Sequence, residues 1–218
     1  MIASELKTDA LFDLQPTDTV LDALELMYAN GVHHLIVALD GKFQGMISEE
    51  TLTASGDEVL LQELQTGYFF KSCLPEEHVY ELIAKMSPYK LSILPIVVEG
   101  DYLGSVTMHD IFYRLADLYG YSQPGSIFVL EMQRHEYALS NISRIIESEG
   151  GNVISASISP AKDENFIKLA LKTNIAETGR IQATFERYGY TVMASYNDEG
   201  PYEMYKERYA SLMNYLDV

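Results

Sequence analysis

The sequence predicts an α+β protein built from two copies of one short unit and a third segment of a different kind. Two stretches beginning at Pro16 and Pro75 align without a gap at a constant offset of 59 residues. Beyond a Gly-, Ser- and Pro-containing stretch at residues 118–126, apolar strands and helices alternate in the order βαββαβ. With 218 residues, 47% of them hydrophobic and 22% charged, the chain is long enough and apolar enough to bury a core.

The internal repeat is the most informative feature. The first copy reads PTDTVLDALELMYANGVHHLIVALDGKFQGMISEETL and the second reads PEEHVYELIAKMSPYKLSILPIVVEGDYLGSVTMHDI. The matching columns are Val20 with Val79, Met27 with Met86, Val37 with Ile96, Gly41 with Gly100, Gly45 with Gly104, and Ser48 with Thr107. Agreement of glycines, a hydroxyl and apolar columns in one register indicates a duplicated structural unit.

Each copy is predicted to fold as helix, strand, strand, helix. In the first copy Thr17 or Asp18 is placed to cap the first helix, and Asn30-Gly31 supplies its C-terminal stop. The predicted strands are His34–Leu39 and Phe43–Ile47 in the first copy, and Ile93–Val98 and Tyr102–Val106 in the second, joined by turns at Asp40-Gly41 and Glu99-Gly100. Ser48 and Thr107 are predicted N-caps of the second helices. A unit of about 60 residues cannot bury both sheet faces alone, so the copies should pack together.

Two phrases in these copies carry a family resemblance. The strand phrase LSILPIV contains Pro95, and the corresponding HHLIV has Ile36 at that place. The phrase GSVTMHD, Gly104 to Asp110, has a glycine, two further residues, a hydroxyl and then a carboxylate three residues on. On these phrases the repeats resemble a tandem pair of cystathionine-β-synthase-type (CBS) domains. The resemblance implies two β-α-β-β-α units related by a pseudo-twofold axis, at residues 1–56 and 57–121, which sense adenosyl ligands.

The second copy carries the candidate ligand site. A hydroxyl at a helix N-terminus, with free N–H groups and the helix dipole, suits an oxygen-rich or anionic group, and a carboxylate one turn on can accept hydrogen bonds from a ribose diol. The resemblance implies that Thr107 faces a phosphate or its equivalent, that Asp110 faces ribose, and that Ile93, Leu94 and Pro95 form an apolar wall for the base. The ligand would be AMP, ATP or S-adenosylmethionine. The alternative is that Thr107 and Asp110 only cap the helix.

The first copy lacks the carboxylate. Thr51 stands where Asp110 stands in the second copy, and Glu49-Glu50 add negative charge beside it. We therefore expect the first site to be unoccupied and predict at most one complete adenosine site per chain.

The charge of the chain restricts its ligands. The net charge is −17, and residues 1–125 hold 19 acidic and 6 basic side chains, a net charge of −13. This acidity argues against nucleic-acid binding, which requires a basic face. It also disfavours highly charged anions, so AMP or a sulfonium-bearing adenosyl compound is expected to bind in preference to ATP.

The C-terminal part predicts a second module. After a linker at residues 122–126, the order βαββαβ over residues 127–198 is the ferredoxin-like arrangement. With this length it resembles an ACT domain, a module that often binds amino acids between copies. Tyr137 and Ala138 stand where that family usually has Pro and Gly, which favours a structural or dimerising role over an amino-acid site.

The junction and the tail add two further predictions. The order of a CBS pair, the phrase SQPGSI and an ACT-like module resembles the bacterial acetoin-utilisation-type CBS–ACT proteins, which suggests a regulatory protein. Residues 199–218 place Tyr202, Tyr205, Tyr209, Leu212 and Leu216 at helical spacing. We predict an amphipathic helix that packs on the chain's own surface or on a second subunit, with partner binding as the alternative.

Residues that could carry other chemistry favour structural roles. His33 and His34 are neighbours in a strand and should point to opposite faces, so they cannot converge on one metal ion. Cys73 has no catalytic partner at a fitting spacing, and the pairs Glu49-Glu50 and Glu76-Glu77 lie at helix starts, where acids are ordinary. The sequence has no G-x-S-x-G, P-loop, G-x-G-x-x-G or H-E-x-x-H motif. We predict no catalytic and no metal site.

The function predicted from the sequence is therefore regulatory. The first hypothesis is a cytoplasmic, non-enzymatic homodimer that binds an adenosine compound and acts on a regulated protein that the sequence does not identify. The second is a ligand-free scaffold in which the CBS pair and the ACT-like module serve dimerisation. The single cysteine fits a reducing compartment, and no apolar run is long enough to span a membrane.

Overall fold

The computed structural model describes residues 1–8 and 13–197, which belong to two compact units, Met1–Leu115 and Ala116 onward. The helices and strands up to the end of the first unit are α1 (Ala3–Leu6), β1 (Asp13–Leu14), α2 (Val20–Asn30), β2 (His34–Leu39), β3 (Lys42–Ser48), α3 (Glu49–Thr53), a 3-10 helix (Leu61–Gly67), α4 (Val79–Met86), a 3-10 turn (Ser87–Tyr89), β4 (Ile93–Val98), β5 (Asp101–Thr107) and α5 (Met108–Leu118). Both predicted first strands are confirmed residue for residue. The repeat pattern did not predict α1 or the Leu61–Gly67 helix.

One five-stranded sheet joins the two repeats, in the order β1-β2-β3-β5-β4. Its central contact pairs Lys42 with Asp101, which are counterparts at the 59-residue offset and form an ion pair of 2.6 Å. The flanking bonds are reciprocal: Phe43 N donates to Gly100 O at 2.9 Å and Tyr102 N donates to Gly41 O at 2.8 Å. Counterparts that bond to each other define a pseudo-twofold axis, which confirms the predicted α+β architecture of the repeat pair.

Fine backbone features also occur at the same offset. Each hairpin has a register shift, after Val37 in one and after Ile96 in the other. Gly31 and Lys90 end α2 and the turn after α4 in the left-handed conformation, with φ of 63° and 51°. One detail of the prediction is wrong: Thr19 caps α2, not Thr17 or Asp18, because its hydroxyl accepts from the Asp22 N–H. Its counterpart His78 caps α4.

The apolar side chains of the first unit form two clusters. One centres on the first repeat and includes Leu35, Ile36 and Ile47; the other centres on the second and includes Leu82 and Leu94. Ile93 of the second repeat belongs to the cluster of the first repeat. A shared core of this kind makes the two repeats depend on each other for burial, as their small size requires.

The second unit has the predicted βαββαβ order. Its elements are β6 (Ser126–Gln133), α6 (Leu139–Ser148), β7 (Val153–Pro160), β8 (Phe166–Thr173), α7 (Gly179–Arg187) and β9 (Thr191–Asn197), with a short 3-10 turn at Arg134–Glu136. The antiparallel sheet runs β7-β8-β6-β9, and Phe128, Leu130 and Leu169 of one face pack with Ile142 and Phe185 of the helices. The amphipathic helix predicted at residues 199–218 lies outside the described residues. Within the described ranges, no helix is both long and apolar enough to cross a bilayer.

Candidate functional site

The phrase GSVTMHD spans the end of β5 and the first turn of α5. Thr107 is the last residue of β5, pairs with Ile93 of β4 and is only 5% exposed. Asp110 lies in the first turn of α5 and is partly buried. The strand pairing fixes Thr107, and the helix that begins immediately after it fixes Asp110.

Thr107 and Asp110 form a closed set of hydrogen bonds. The Thr107 hydroxyl donates to Asp110 Oδ2 at 2.5 Å, and the Thr107 N–H donates to the same oxygen at 3.1 Å. In return, the Asp110 N–H donates to the Thr107 hydroxyl at 3.1 Å. This is a capping box, which satisfies N–H groups that a helix start leaves without partners.

The same box occurs at the start of α2. There the Thr19 hydroxyl donates to Asp22 Oδ2 at 2.6 Å and the Thr19 N–H donates to it at 2.9 Å. The Thr19 hydroxyl, and then the Thr19 N–H, lower the pKa of the Asp22 carboxyl below its usual value. A Thr-x-x-Asp capping box is thus compatible with a purely structural role, and Asp22 provides an internal reference for Asp110.

A polar contact on the pseudo-twofold axis connects both second helices. Ser92 O accepts from the N–H of Met108 at 2.9 Å, and His33 O accepts from the N–H of Glu49 at 3.0 Å. The two anchor residues also touch, since His33 N–H donates to Ser92 Oγ at 2.9 Å. The starts of α3 and α5 are therefore joined through the hydrogen bond between His33 and Ser92. No sequence motif singles out Ser92, although the 59-residue offset pairs it with His33.

The imidazole rings of the two histidines have separate partners. His34 Nδ1 lies 3.2 Å from Ser92 Oγ, and its ring packs edge-on against Phe69. Burial, and then the neighbouring His33, lower the pKa of the His34 ring below its usual value, so it is neutral near pH 7. His33 Nδ1 instead lies 2.6 Å from an exposed Glu49 carboxylate. Over residues 1–8 and 13–197, no three His, Cys, Asp or Glu side chains converge as a metal site would require.

The three predicted wall residues lie inside the protein. Ile93 and Leu94 have no exposed surface and belong to different core clusters. The Pro95 carbonyl accepts from the Cys73 N–H at 2.9 Å. The structure therefore brings Thr107 and Asp110 together at a helix start and pairs Ile93 with Thr107 across the two strands, while the side chains of Ile93 and Leu94 are buried in the core.

A cavity of about 410 Å³ lies beside the start of α5. It separates α4 from α5 and is mostly apolar; its lining residues are Ile83, Met86, Ser87, Lys90, Leu91, Met108 and Ile111. Thr107 and Asp110 are not among them. The cavity and the capping box therefore lie on neighbouring but different parts of the second repeat.

The first repeat has a weaker version of the helix start. Ser48 caps α3 by accepting from the Thr51 N–H at 3.3 Å, and the two hydroxyls lie 3.0 Å apart. The helix α3 has only 5 residues. Thr51 packs closely on Gly67, where an added Cβ would lie 2.7 Å from Thr51 Cγ2. Thr51 thus serves the packing of the Leu61–Gly67 helix.

Cys73 is a core residue. It is 1% exposed, and burial, followed by the nearby Glu77 carboxylate, raises the pKa of its thiol to about 12. A thiol of that pKa is protonated and unreactive at neutral pH.

Comparison with known proteins relates the first unit to a family of domains. Residues 3–55 and 70–117 match the family model described as the CBS domain. Over 103 residues the chain is 31% identical to an inosine-5'-monophosphate dehydrogenase of Korarchaeum cryptofilum, covering 46% of this chain but 21% of that enzyme. The chain therefore spans about a fifth of the length of this curated relative.

Two solved structures resemble the chain. One is a candidate acetoin utilization protein (AcuB) from Vibrio cholerae, 25% identical with a TM-score of 0.49, covering 57% of this chain and 98% of that one. The other is a CBS domain pair/ACT domain protein from Thermotoga maritima, 19% identical with a TM-score of 0.47, covering 54% of this chain and 98% of that one.

Proposed function

We propose that this chain, which carries a tandem pair of CBS domains, is a regulatory protein without catalytic activity. It binds one adenosine-containing ligand at the second repeat and transmits the binding to the ferredoxin-like unit. The observation that supports this function is the pairing of the Thr107 hydroxyl with the Asp110 carboxylate at the start of an 11-residue helix. Of the two repeats, only the second has both the hydroxyl and the carboxylate of the adenosyl-ligand phrase.

The chemistry of the helix start suits such a ligand. The helix dipole favours a phosphate or carboxylate near Thr107, while the N–H groups of Met108 and Asp110 already donate to Ser92 O and to the Thr107 hydroxyl. A carboxylate has about four lone-pair sites, so Asp110 can accept from a ribose diol through Oδ1 while Oδ2 still holds Thr107. Ligand binding would tighten the start of α5, and the chain runs from α5 directly into the second unit.

The charge of residues 1–125 selects among adenosine compounds. A net charge of −13 opposes the entry of a multiply charged anion. AMP and S-adenosylmethionine carry fewer negative charges than ATP and are the preferred ligands. In titrations without magnesium, tighter binding of ATP than of AMP would contradict this preference.

The test compares Asp110→Ala with Asp22→Ala. Both substitutions remove the carboxylate from a capping box of the same geometry, so both lower the melting temperature of the free protein. We expect AMP or S-adenosylmethionine to raise the melting temperature of wild type and Asp22→Ala, but not of Asp110→Ala. An unchanged ligand-induced shift in Asp110→Ala, or no shift with AMP, ATP or S-adenosylmethionine in the wild type, would refute the proposal.

One observation favours the second candidate, a ligand-free scaffold. Phe112 and Tyr113 of α5 are 64% and 66% exposed, which suits a protein interface. Mass spectrometry of purified protein after denaturation separates the two functions. A carried-over adenosine compound supports the sensor, whereas its absence combined with a ligand-independent dimer supports the scaffold.

Self-association belongs to both candidate functions. We propose a homodimer in the cytoplasm, with the ferredoxin-like unit acting as an ACT-type dimerising module rather than as an amino-acid site. Light scattering should give the mass of two chains. A monomer across micromolar concentrations would exclude the dimer.

A further inference from the structure

The sheet of the second unit has two different faces. One packs against α6 and α7. We call the other the open face. Cross-strand pairing places on it three rows that run from β9 through β6 and β8 to β7: Tyr196, Ile127, Lys172 and Ser155; Ala194, Val129, Ala170 and Ser157; Thr191, Glu131, Lys168 and Ser159.

The open face is apolar in its middle and shallow. Ala170, Ala194 and Val129 have short side chains and are partly exposed, while Ile127 and Tyr196 at the rim are 38% and 59% exposed. At the same end, the stacked rings of Tyr119 and Tyr121, 5.7 Å apart, line a cavity of about 420 Å³ together with residues of this face. Short apolar side chains in the middle of the face, the floor, with larger side chains at its rim leave room for one helix.

The C-terminal tail leaves the sheet at the rim of this face. β9 ends at Asn197, which pairs with Ser126 beside Tyr196 and Ile127. Only residues 198–200 separate β9 from Pro201, the predicted helix start. Three extended residues reach about 10 Å, so the tail must begin close to this edge of the sheet.

The length and pattern of the tail fit the open face. A helix over residues 201–216 would be about 24 Å long, and a strand of eight residues such as β6 is about 26 Å long. The tail has one apolar stripe of Tyr202, Tyr205, Tyr209, Leu212 and Leu216. Residues 198–218 hold five acids and two bases, a net charge of −3, whereas Lys168, Lys172 and Glu131 give the three rows of the open face a net charge of +1.

We propose that residues 201–216 form a helix that covers the open face of its own sheet. The tyrosine and leucine stripe contacts the floor at Ala170, Ala194 and Val129, and the tyrosine hydroxyls reach the rim, where water remains accessible. The other face of this sheet packs against α6 and α7, and within residues 116–197 no helix packs on the open face. The second unit then becomes a three-layer module whose last layer is supplied by the C-terminus.

The absence of tryptophan from the chain gives a direct probe. We place a tryptophan on the stripe by Tyr205→Trp and, as matched control, on the opposite side of the predicted helix by Glu207→Trp. The proposal expects blue-shifted emission for Tyr205→Trp and water-exposed emission for Glu207→Trp. Adding Ala170→Arg to the floor should shift the Tyr205→Trp emission to the red, whereas Glu147→Arg on α6 should not. Equal, water-exposed emission from both tryptophans would overturn the proposal.

A cross-link tests the same contact without filling the floor. Ala170→Cys combined with Tyr209→Cys should form a disulfide within one chain under mild oxidation, since the buried Cys73 thiol does not compete. The control pair is Glu147→Cys with Tyr209→Cys, which should stay reduced. A disulfide only between two chains would assign the open face to the tail of a second copy, and absence of any disulfide would remove the tail from this face; either result overturns the proposal.

Discussion

The two repeats of the first unit have the same backbone and different helix starts. Both have the left-handed turn residue, at Asp40 and Glu99 with φ of 50° and 51°, and both shift register at the same place in the hairpin. At the helix start, however, the Thr107 and Asp110 box of α5 corresponds to a Ser48 and Thr51 pair before a helix of 5 residues. Features that the backbone requires are kept in both copies. Side chains that the backbone does not require differ between the copies, and the candidate ligand-binding residues Thr107 and Asp110 are among these.

A second difference lies at two counterpart glycines, Gly45 in β3 and Gly104 in β5. An added Cβ at Gly45 would lie 3.0 Å from Tyr68 Cβ, whereas one at Gly104 would lie 2.8 Å from Lys7 Cδ. Tyr68 is held by its hydroxyl bond to Leu61 O and by the pairing of its neighbour Phe69 with Met46. Lys7 is a flexible chain. The first repeat is thus closed over this strand by a fixed aromatic ring, and the second by a movable side chain.

The largest effect should come from counterpart core residues. Leu35 and Leu94 are both fully buried, one in each cluster, so Leu35→Ala and Leu94→Ala should each lower the free energy of unfolding by about 2–5 kcal/mol. Because Ile93 joins the core of the other repeat, urea titration should show the loss as one shifted transition of the repeat pair. Two separate transitions within residues 1–115 would show that the repeats unfold independently.

The glycine substitutions should have a smaller and unequal effect. Gly45 and Gly104 have φ of 147° and 135°, so an alanine at either position costs roughly 1–3 kcal/mol of backbone strain. Gly45→Ala should be the more destabilising, because Tyr68 cannot move as Lys7 can. Thermal melts of the two variants measure the difference, and an equal or reversed order would contradict this account of the two strands.

Acid should weaken the first repeat through His34. Since folding lowers the pKa of His34, the unfolded chain binds a proton there more readily than the folded one. The contribution of His34 to the free energy of unfolding is complete above pH 6.5, the usual pKa of histidine. Stability is lost as the pH falls from 6.5 toward the lowered pKa of His34. His34→Asn, which keeps a polar partner for Ser92, should reduce the slope of melting temperature against pH in this window. The counterpart position in the second repeat is Ile93, which cannot titrate. An unchanged slope in His34→Asn would show that the acid sensitivity arises from another group.

The smallest effect concerns Cys73, the counterpart of Leu14. With a buried thiol of pKa about 12, native protein should not react with a thiol reagent at pH 7 on the timescale on which urea-unfolded protein reacts fully. Fast reaction of the native protein would show that β4 opens locally at its edge, where Cys73 pairs with Ile96.

Much of the fold was predictable because it follows from local rules repeated in the chain. The positions of β2 and β4 followed from apolar runs bounded by turn residues, and the order of the second unit followed from its alternation of strands and helices. The cap of α2 was misplaced because Thr17, Asp18 and Thr19 are all good caps, and only the tertiary fold selects among them. The helix Leu61–Gly67 carries no repeat signal, since it fills a gap beside the first repeat alone.

The candidate site was predictable in part. The Thr107 and Asp110 pair could be read from the sequence because both lie in one turn of helix. The role of Ser92 could not, because its contacts with His33 and Met108 depend on how two distant strands meet. The depth of Ile93 was likewise set by packing between the repeats, whereas Leu94 lies in the core cluster of its own repeat.

We propose that the two repeats differ in ligand binding through one carboxylate, that of Asp110. Calorimetric titration of the full chain with AMP and with S-adenosylmethionine measures this directly, using wild type, Asp110→Ala and Thr51→Ala. We expect one site per chain in wild type, the same site in Thr51→Ala, and no measurable binding in Asp110→Ala. Two sites per chain, or wild-type affinity in Asp110→Ala, would contradict it.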